Sequence, residues 1–448
     1  EFARWIETIK GHTVKVISHP TRYVPLHLEC YDAELGRTTL KAIKETADIP
    51  SYAYVRGKTN KRSAEMLPPS HTELIKEIKD KTPLLFFCFS RMSCQKNARE
   101  LMKKQLFPHN PEISAFVRKK LEHVSPEMNT LKSAQALRQT LPYGIGFHHA
   151  GLLPVMKEMV EELFGKGLIK VLYTTETFAV GINMPAKTVC FENVRKYDGR
   201  SFRFISSKEF FQIAGRAGRR GIDTEGYVYI MINRRDFDYE KIKNFTSSDT
   251  DPIVSQFKLS VNTVLNLIDK HSPQEAERIL GQSFYAFQTF GEKATTQTKT
   301  HQTFHNLKKR LVHLGFIDSD GDKLTEKGRF ASGIYADEII LGELFGTELC
   351  KKLNEYQILL MLACLCYEGR ERTKFTKKFI TPDIGFLRKF ILGNDVLAHE
   401  PRFKAMVQLT ALMHPCYHQA SLFDIIPLTT LQEGDVVRFF RQIVDRTN

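Results

Sequence analysis

Between residues 81 and 232 the chain alternates two hydrophobic periods. Short, nearly continuous apolar runs (KTPLLFFCFS, YGIGFHH, LIKVLYTT, KTVCFENV and GYVYIMI) alternate with amphipathic stretches of helical period such as RMSCQKNARELMKKQL and LPVMKEMVEELFGKG. Runs of that length predict strands buried on both faces, and strands alternating with helices predict a parallel sheet with helices on both sides. Local signals mark the helix boundaries. Ser90 stands at an N-cap, Pro154 at the first turn of a helix with Gly165 or Gly167 near its end, and Ser206-x-x-Glu209 forms a capping box.

Outside that span the pattern changes. The first residues predict a helix (EFARWIETIK) and then a strand (TVKVIS), like the tail of a preceding α/β unit. After Asp236 the helical period takes over, beginning with FKLSVNTVLNLIDK, where Phe257, Val261, Val264, Leu265 and Ile268 share one side. The polar stretch ATTQTKTHQT (Ala294 to Thr303) predicts a linker. The segment behind it reads as a helix through Leu307, Leu311 and Leu314, a strand, the turn Asp318 to Asp322 and another short strand, which suits a winged helix or any small helix–hairpin module. The rest of the chain reads as helical. Its last stretch, GDVVRFFRQIVDRTN, presents Val436, Val437, Phe440, Ile443 and Val444 on one face and Arg438, Arg441 and Asp445 on the other.

Composition narrows the function. The chain has 448 residues, enough for several domains, and its 65 lysines and arginines against 51 acidic residues give a formal net charge of +14. That excess favours a polyanionic partner, because each neutralised phosphate releases counterions. The longest apolar run, Ile358 to Tyr367, is far shorter than the ~18 residues a membrane span requires. Eight scattered cysteines without a CxxC pair read as reduced thiols, neither a zinc site nor a disulfide framework. Both ends of the sequence read as cut from a longer protein.

The candidate chemistry centres on FFQIAGRAGRRG. If the helix opened by Ser206 and Glu209 continues, Gln212, Arg216 and Arg219 fall at i, i+4 and i+7 on one face, and Gly215 and Gly218 let an outside group approach the backbone. Always-charged planar forks in that array suit phosphate oxygens. No phosphate cradle accompanies them. Gly57-Lys58-Thr59 is the only GK[ST] tripeptide, but Tyr52 stands where the leading glycine of a P-loop belongs, and the strand-to-helix frame is missing. No DExH or DExD run holds magnesium either, so the arginines predict that another domain supplies the triphosphate. A second set of positions suits a nucleic-acid backbone. Ser90 at a helix start offers a hydroxyl and free N–H groups with Arg91 beside it, which suits a backbone phosphate, while the His148-His149 pair reads as a packed structural pair as readily as a functional one.

These residues resemble one family. FQIAGRAGRRG resembles motif VI of superfamily 2 helicases in the form used by the Ski-type (superkiller and exosome-associated) DExH RNA helicases, FHHAGLLPVMKEMVEELFGKGLIKVLYTTETFAVGINMPAKTV resembles their motifs IVa and V, and LLFFCFSR resembles motif IV. SQFKLSVNTVLNLI, QSFYAFQ, LTEKGRFASGI and LQEGDVVRFFRQI follow in the family's order. The resemblance implies the tail of a first RecA-like domain over 1–24, a second RecA-like domain over 25–240, linker helices and a winged helix over 241–335, and a helical ratchet-type domain over 336–448. It implies ATP and Mg2+ held mainly by an absent first RecA-like domain, with Arg219 as arginine finger, Arg216 beside it, Gln212 in support, and Gly181 and Asn183 at nucleotide-contacting positions. Ser90, Arg91, His149, Gly151, Thr175, Glu176, Arg438 and Arg441 would meet single-stranded RNA or a duplex with a 3′ overhang. A cytoplasmic location, or a nuclear one in a eukaryote, and an RNA-degrading nuclease partner also follow from it, with no membrane. The long arch insertion of eukaryotic members is absent. Two other readings compete: a DNA helicase of the related repair type, and a non-enzymatic winged-helix binding module.

Overall fold

The computed structural model describes every residue except 20, 47–67, 123, 125, 182–183, 199–200, 249–251, 292–298, 370–372 and 448. The GKT tripeptide at 57–59 therefore lies outside the described residues. The chain divides into two compact units, one formed by residues 19–251 with 432–437, the other by 1–18, 252–431 and 438–448.

The first unit is built on a sheet, as the alternating runs predict. Its strands are β1 (Leu26–Asp32), β2 (Gly36–Thr38), β3 (Leu84–Phe87), β4 (Ile145–His148), β5 (Val171–Thr174), β6 (Thr188–Phe191) and β9 (Gly226–Met231), in the order β2-β1-β9-β6-β3-β5-β4. Every pairing is parallel except the β1–β2 hairpin. A separate two-stranded ribbon, β7 (Arg195–Tyr197) with β8 (Phe202–Phe204), rises from the crossover between β6 and β9. The central strands β3, β5 and β6 are buried along their whole length, which is why their sequences run apolar without alternation. Phe86, Phe87, Phe147, Tyr173 and Phe191 fill the core between sheet and helices. The registers Phe87↔Thr174, His148↔Thr174 and Phe87↔Phe191 bring the carboxyl ends of β4, β5, β3 and β6 level. In an open sheet of this kind, that edge is where loops gather around ligands. The helices begin as read: Ser90 caps Arg91–Lys103, Pro154 opens Pro154–Gly165, and both halves of the Ser206/Glu209 capping box form ahead of Ser207–Ala214.

The second unit is helical. Val264, Leu265, Leu280, Phe304, Leu311, Phe316 and Ala331 pack into one core shared by the helices Val261–Lys270, Pro273–Gly281, Lys299–His313 and Glu326–Ser332. The expected helix–strand–turn–strand segment reduces to a tight turn closed by one antiparallel bridge, Ile317↔Leu324, with Asp318 N–H donating to the Lys323 carbonyl at 3.0 Å. Four other expectations change. TVKVIS forms no strand: Val16 and Ile17 are 73% and 87% exposed, with no neighbouring strand among the described residues to hydrogen-bond. The helix before it, Phe2–Lys10, belongs to this unit, its Phe2 and Trp5 rings packed on Phe284 and Trp5 Nε1 donating to the Gln282 carbonyl at 2.9 Å. The polar stretch taken for a linker is helical from Lys299 onward, with Thr300 and His301 buried. On the terminal helix Glu433–Thr447, the buried positions are Val436, Phe439 and Ile443, while Val444 is 55% exposed. The apolar face is thus turned from the one the sequence suggests.

Candidate nucleotide and nucleic-acid sites

The arginine segment does not continue the helix. Ser207–Ala214 ends at its cap Gly215, and Arg216 and Arg219 lie in the loop beyond, so the single helix face expected for Gln212, Arg216 and Arg219 does not exist. Tertiary packing overrides the period. Ala217 bridges Ala186 ahead of β6, with Ala186 N–H donating to the Arg216 carbonyl at 2.9 Å and Gly218 N–H to the Ala186 carbonyl at 2.8 Å. Gly218 adopts φ +79°, and a Cβ there would sit 2.6 Å from Val24 Cγ1. The glycine is therefore required by the protein's own backbone and Val24, not by an approaching ligand. Arg22 closes the loop from outside, donating to the carbonyls of Gly215 (3.0 Å) and Ala217.

These contacts fix the loop at the amino edge of β6, β9 and β1. Gln212 is exposed and Arg216 half-buried. Arg219 is held by Asp223, with Nε donating to Oδ2 at 2.7 Å, Nη2 to Oδ1 at 2.8 Å and the Arg219 backbone N–H to Oδ2 at 2.8 Å. Hydrogen bonding from Arg219 is the main reason the Asp223 carboxyl lies below its ordinary range. The neighbouring Arg220 turns away, over the Tyr23 ring at 4.6 Å. Gly181 ends the helix Glu176–Gly181, and Asn183 lies outside the described residues.

The proposed backbone-contacting positions cluster at the opposite, carboxyl edge. Ser90 and Arg91 follow β3, His149 and Gly151 follow β4, and Thr175 and Glu176 follow β5. Part of this edge is covered by the chain's own residues 432–437. Gly434 N–H donates to the Gly151 carbonyl at 3.0 Å, and the Gln432 side chain fills the space beside Gly151. Arg91 Nη1 is 2.6 Å from Asp435 Oδ2, and Ser133 donates to Glu433. His149 is fully buried; its Nδ1 accepts from Gly151 N–H at 3.2 Å, and its Nε2 faces the Gln95 amide at 3.1 Å. Burial, with Arg91 nearby, pushes this imidazole down to about 3, so it is neutral. His149 and Gly151, expected as strand contacts, are thus both buried here, and Arg91 carries an ion pair already. His148 is packed against Glu161 at 2.7 Å, in line with the structural alternative.

Ser90 is exposed and Thr175 half-exposed, its hydroxyl 3.0 Å from that of Thr177. Glu176 is tied to Lys196 at 2.6 Å, which also reaches Glu209 at 2.7 Å. Burial opposes the charge of Glu209, but hydrogen bonds from Arg203, Lys196 and the Ser206 N–H prevail and bring it down to about 2. This network braces the β7–β8 ribbon, whose Tyr197 and Phe202 rings pair at 5.4 Å and stand 55% and 65% exposed. The sequence pattern does not reveal the ribbon, because three-residue strands carry almost no periodic signal. Its signal was the spacing of Tyr197 and Phe202 around Asp198-Gly199. In the helical unit, Arg438 makes one exposed ion pair with Glu368 at 3.3 Å, and Arg441 is exposed with no partner among the described residues.

Among the described residues, no helix is long and apolar enough to cross a membrane, and no cluster of three or more His, Cys, Asp or Glu side chains could hold a metal. Two family models match the chain: the helicase conserved C-terminal domain over residues 118–221, and the DSHCT (NUC185) domain over residues 321–447. The exosome RNA helicase MTR4 of Homo sapiens is 36% identical over 319 residues, 65% of this chain and 29% of that protein. Superkiller complex protein 2 of Homo sapiens is 32% identical over 348 residues, 72% of this chain and 27% of its own length. An uncharacterized helicase of Schizosaccharomyces pombe is 32% identical over 349 residues, 70% of this chain and 34% of that protein. The chain thus spans about a third or less of these relatives. With motifs IV to VI in order on a parallel sheet, followed by a helical unit, the chain belongs to the Ski-type DExH-box helicases of superfamily 2 and corresponds to their C-terminal portion.

Proposed function

We propose that the chain is the second RecA-like half and helical C-terminal part of an ATP-dependent RNA helicase, moving 3′ to 5′ on single-stranded RNA and opening duplexes for RNA processing or decay. The carrying observation is the arginine loop: a guanidinium held at the amino edge of a RecA-like sheet, in a sequence without a GxxxxGK[ST] motif. ATP and Mg2+ then belong to an upstream RecA-like half, and Arg219 reaches across to the γ-phosphate with Arg216 and Gln212 beside it. A guanidinium there stabilises the charge spread over the transferring phosphoryl group, a contribution of about 10³-fold or more in rate. Gly181 and Asn183 remain proposed nucleotide contacts.

Ser90, Thr175 and Glu176 are the proposed RNA-facing residues at the carboxyl edge, with Arg438 and Arg441 from the terminal helix. Phosphate contacts there position the strand without reading its sequence, and the exposed Tyr197 and Phe202 rings supply a surface on which a base stacks. The boundaries 1–24, 25–240, 241–335 and 336–448 for the four segments are part of this reading. An exosome-like nuclease is the proposed partner, suggested by the relatives' names, with action in the nucleus or cytoplasm. Restoring the upstream region and comparing RNA with DNA duplexes bearing 3′ overhangs tests it: RNA-stimulated ATP hydrolysis with unwinding of RNA is expected, and a strong preference for DNA favours the repair-type reading instead.

A further inference from the structure

We propose that Asp223 is the positioning residue for the arginine finger, fixing the Arg219 guanidinium in the orientation it uses on the transferring phosphate. This inference rests on the helicase reading above.

Two glycines in left-handed conformation, Gly218 (φ +79°) and Gly221 (φ +77°), bracket Arg219 and Arg220 and fold the loop back on itself. Asp223 N–H then donates to the Arg219 carbonyl at 2.9 Å, and the Asp223 carboxylate returns beside the residue four positions before it. Among the described residues, the hydrogen-bond donors to that carboxylate come from Arg219: its backbone N–H, Nε and Nη2. The Asp223 side chain is 6% exposed, whereas that of Arg219 is 25% exposed, so the carboxylate lies behind the guanidinium. Nη1 takes no part in the pair. A long arginine side chain otherwise samples many rotamers, and a bidentate carboxylate selects one while leaving the far edge of the fork for a second anion.

The pairing has an electrostatic consequence that separates positioning from mere folding. Asp223 cancels much of the Arg219 charge, which weakens ground-state attraction for a triphosphate while fixing the geometry needed later. Removing the charge of Asp223 therefore lowers kcat without weakening ATP binding. A purely structural residue would instead cost melting temperature and affinity together.

The experiment is a double-mutant cycle on RNA-stimulated ATP hydrolysis by the full-length protein, using Arg219→Ala, Asp223→Asn and the pair, with melting temperatures for each. Asp223→Asn is expected to lower kcat by about 10²-fold, the scale of an ångström-level misplacement, with KM for ATP unchanged or reduced. In the Arg219→Ala background it has no further effect, and Asp223→Glu recovers part of the rate, which also serves if the Asn variant fails to fold. Wild-type kcat in Asp223→Asn, or an equal loss with and without Arg219, overturns the inference while leaving the helicase reading intact. Full hydrolysis by Arg219→Ala removes that reading and the inference with it.

Discussion

The two edges of the RecA-like sheet differ in how their polar groups are held. At the amino edge, Arg219 is oriented from behind by Asp223 and the loop is locked by Arg22 and Val24, yet part of the guanidinium stays exposed. At the carboxyl edge, Arg91 is ion-paired to Asp435, His149 is buried, and Gly151 lies under Gln432 and Gly434. A carboxylate that orients and one that occupies look alike in sequence; burial and geometry separate them. On the proposed function, the first edge receives a small anion approaching from outside. The second is partly filled by the chain's own terminal segment, while Ser90, Thr175, Tyr197 and Phe202 keep exposed surface.

The comparison can be broken most forcefully at Arg219. Arg219→Ala in the full-length protein should reduce RNA-stimulated ATP hydrolysis by about 10³-fold or more, as read in a coupled ATPase assay. Next comes the loop itself. Gly218→Ala places a side chain at φ +79° and 2.6 Å from Val24, and should destabilise the RecA-like unit by about 2–4 kcal/mol in denaturant unfolding. Shortening the clashing side chain, Val24→Ala, should recover part of that loss.

The carboxyl edge predicts the opposite sign. Asp435→Ala frees Arg91 for a phosphate, so single-stranded RNA should bind more tightly at low salt and the log–log salt slope should steepen by about 0.7. Unchanged affinity would mean that the pair does not mask the site. A pH measurement probes the same edge. The His149 imidazole titrates at about 3 in the folded chain, below its unfolded value of about 6.5. Between those values the unfolded chain binds the extra proton, so stability falls as pH drops below about 6.5, by up to about 1.4 kcal/mol per pH unit. His149→Gln should flatten that slope in acid-unfolding curves. The smallest effect is Ser206→Ala, which removes half of a capping box and should cost about 1 kcal/mol.

Much of this was legible in the sequence, and the exceptions share a cause. Buried runs marked β3 to β6 and β9 because strands covered on both faces cannot alternate, and Ser90, Pro154 and the Ser206/Glu209 box mark helix starts by purely local chemistry. The arginines were found, but not their arrangement: the helix ends at Ala214 because Ala217 and Gly218 pair with Ala186, a contact distant in sequence. The covering of Gly151 by Gly434 is equally invisible to local pattern. TVKVIS has strand composition, but a strand needs a neighbour, and none is present among the described residues.

The division of labour between the two edges is tested most directly by ATP hydrolysis of the full-length protein titrated with single-stranded RNA, in Arg219→Ala beside Thr175→Val. The account predicts that Arg219→Ala collapses kcat with the half-saturating RNA concentration unchanged, while Thr175→Val raises that concentration and leaves kcat largely intact. A kcat preserved in Arg219→Ala, or an RNA requirement that shifts with Arg219 and not with Thr175, would contradict it.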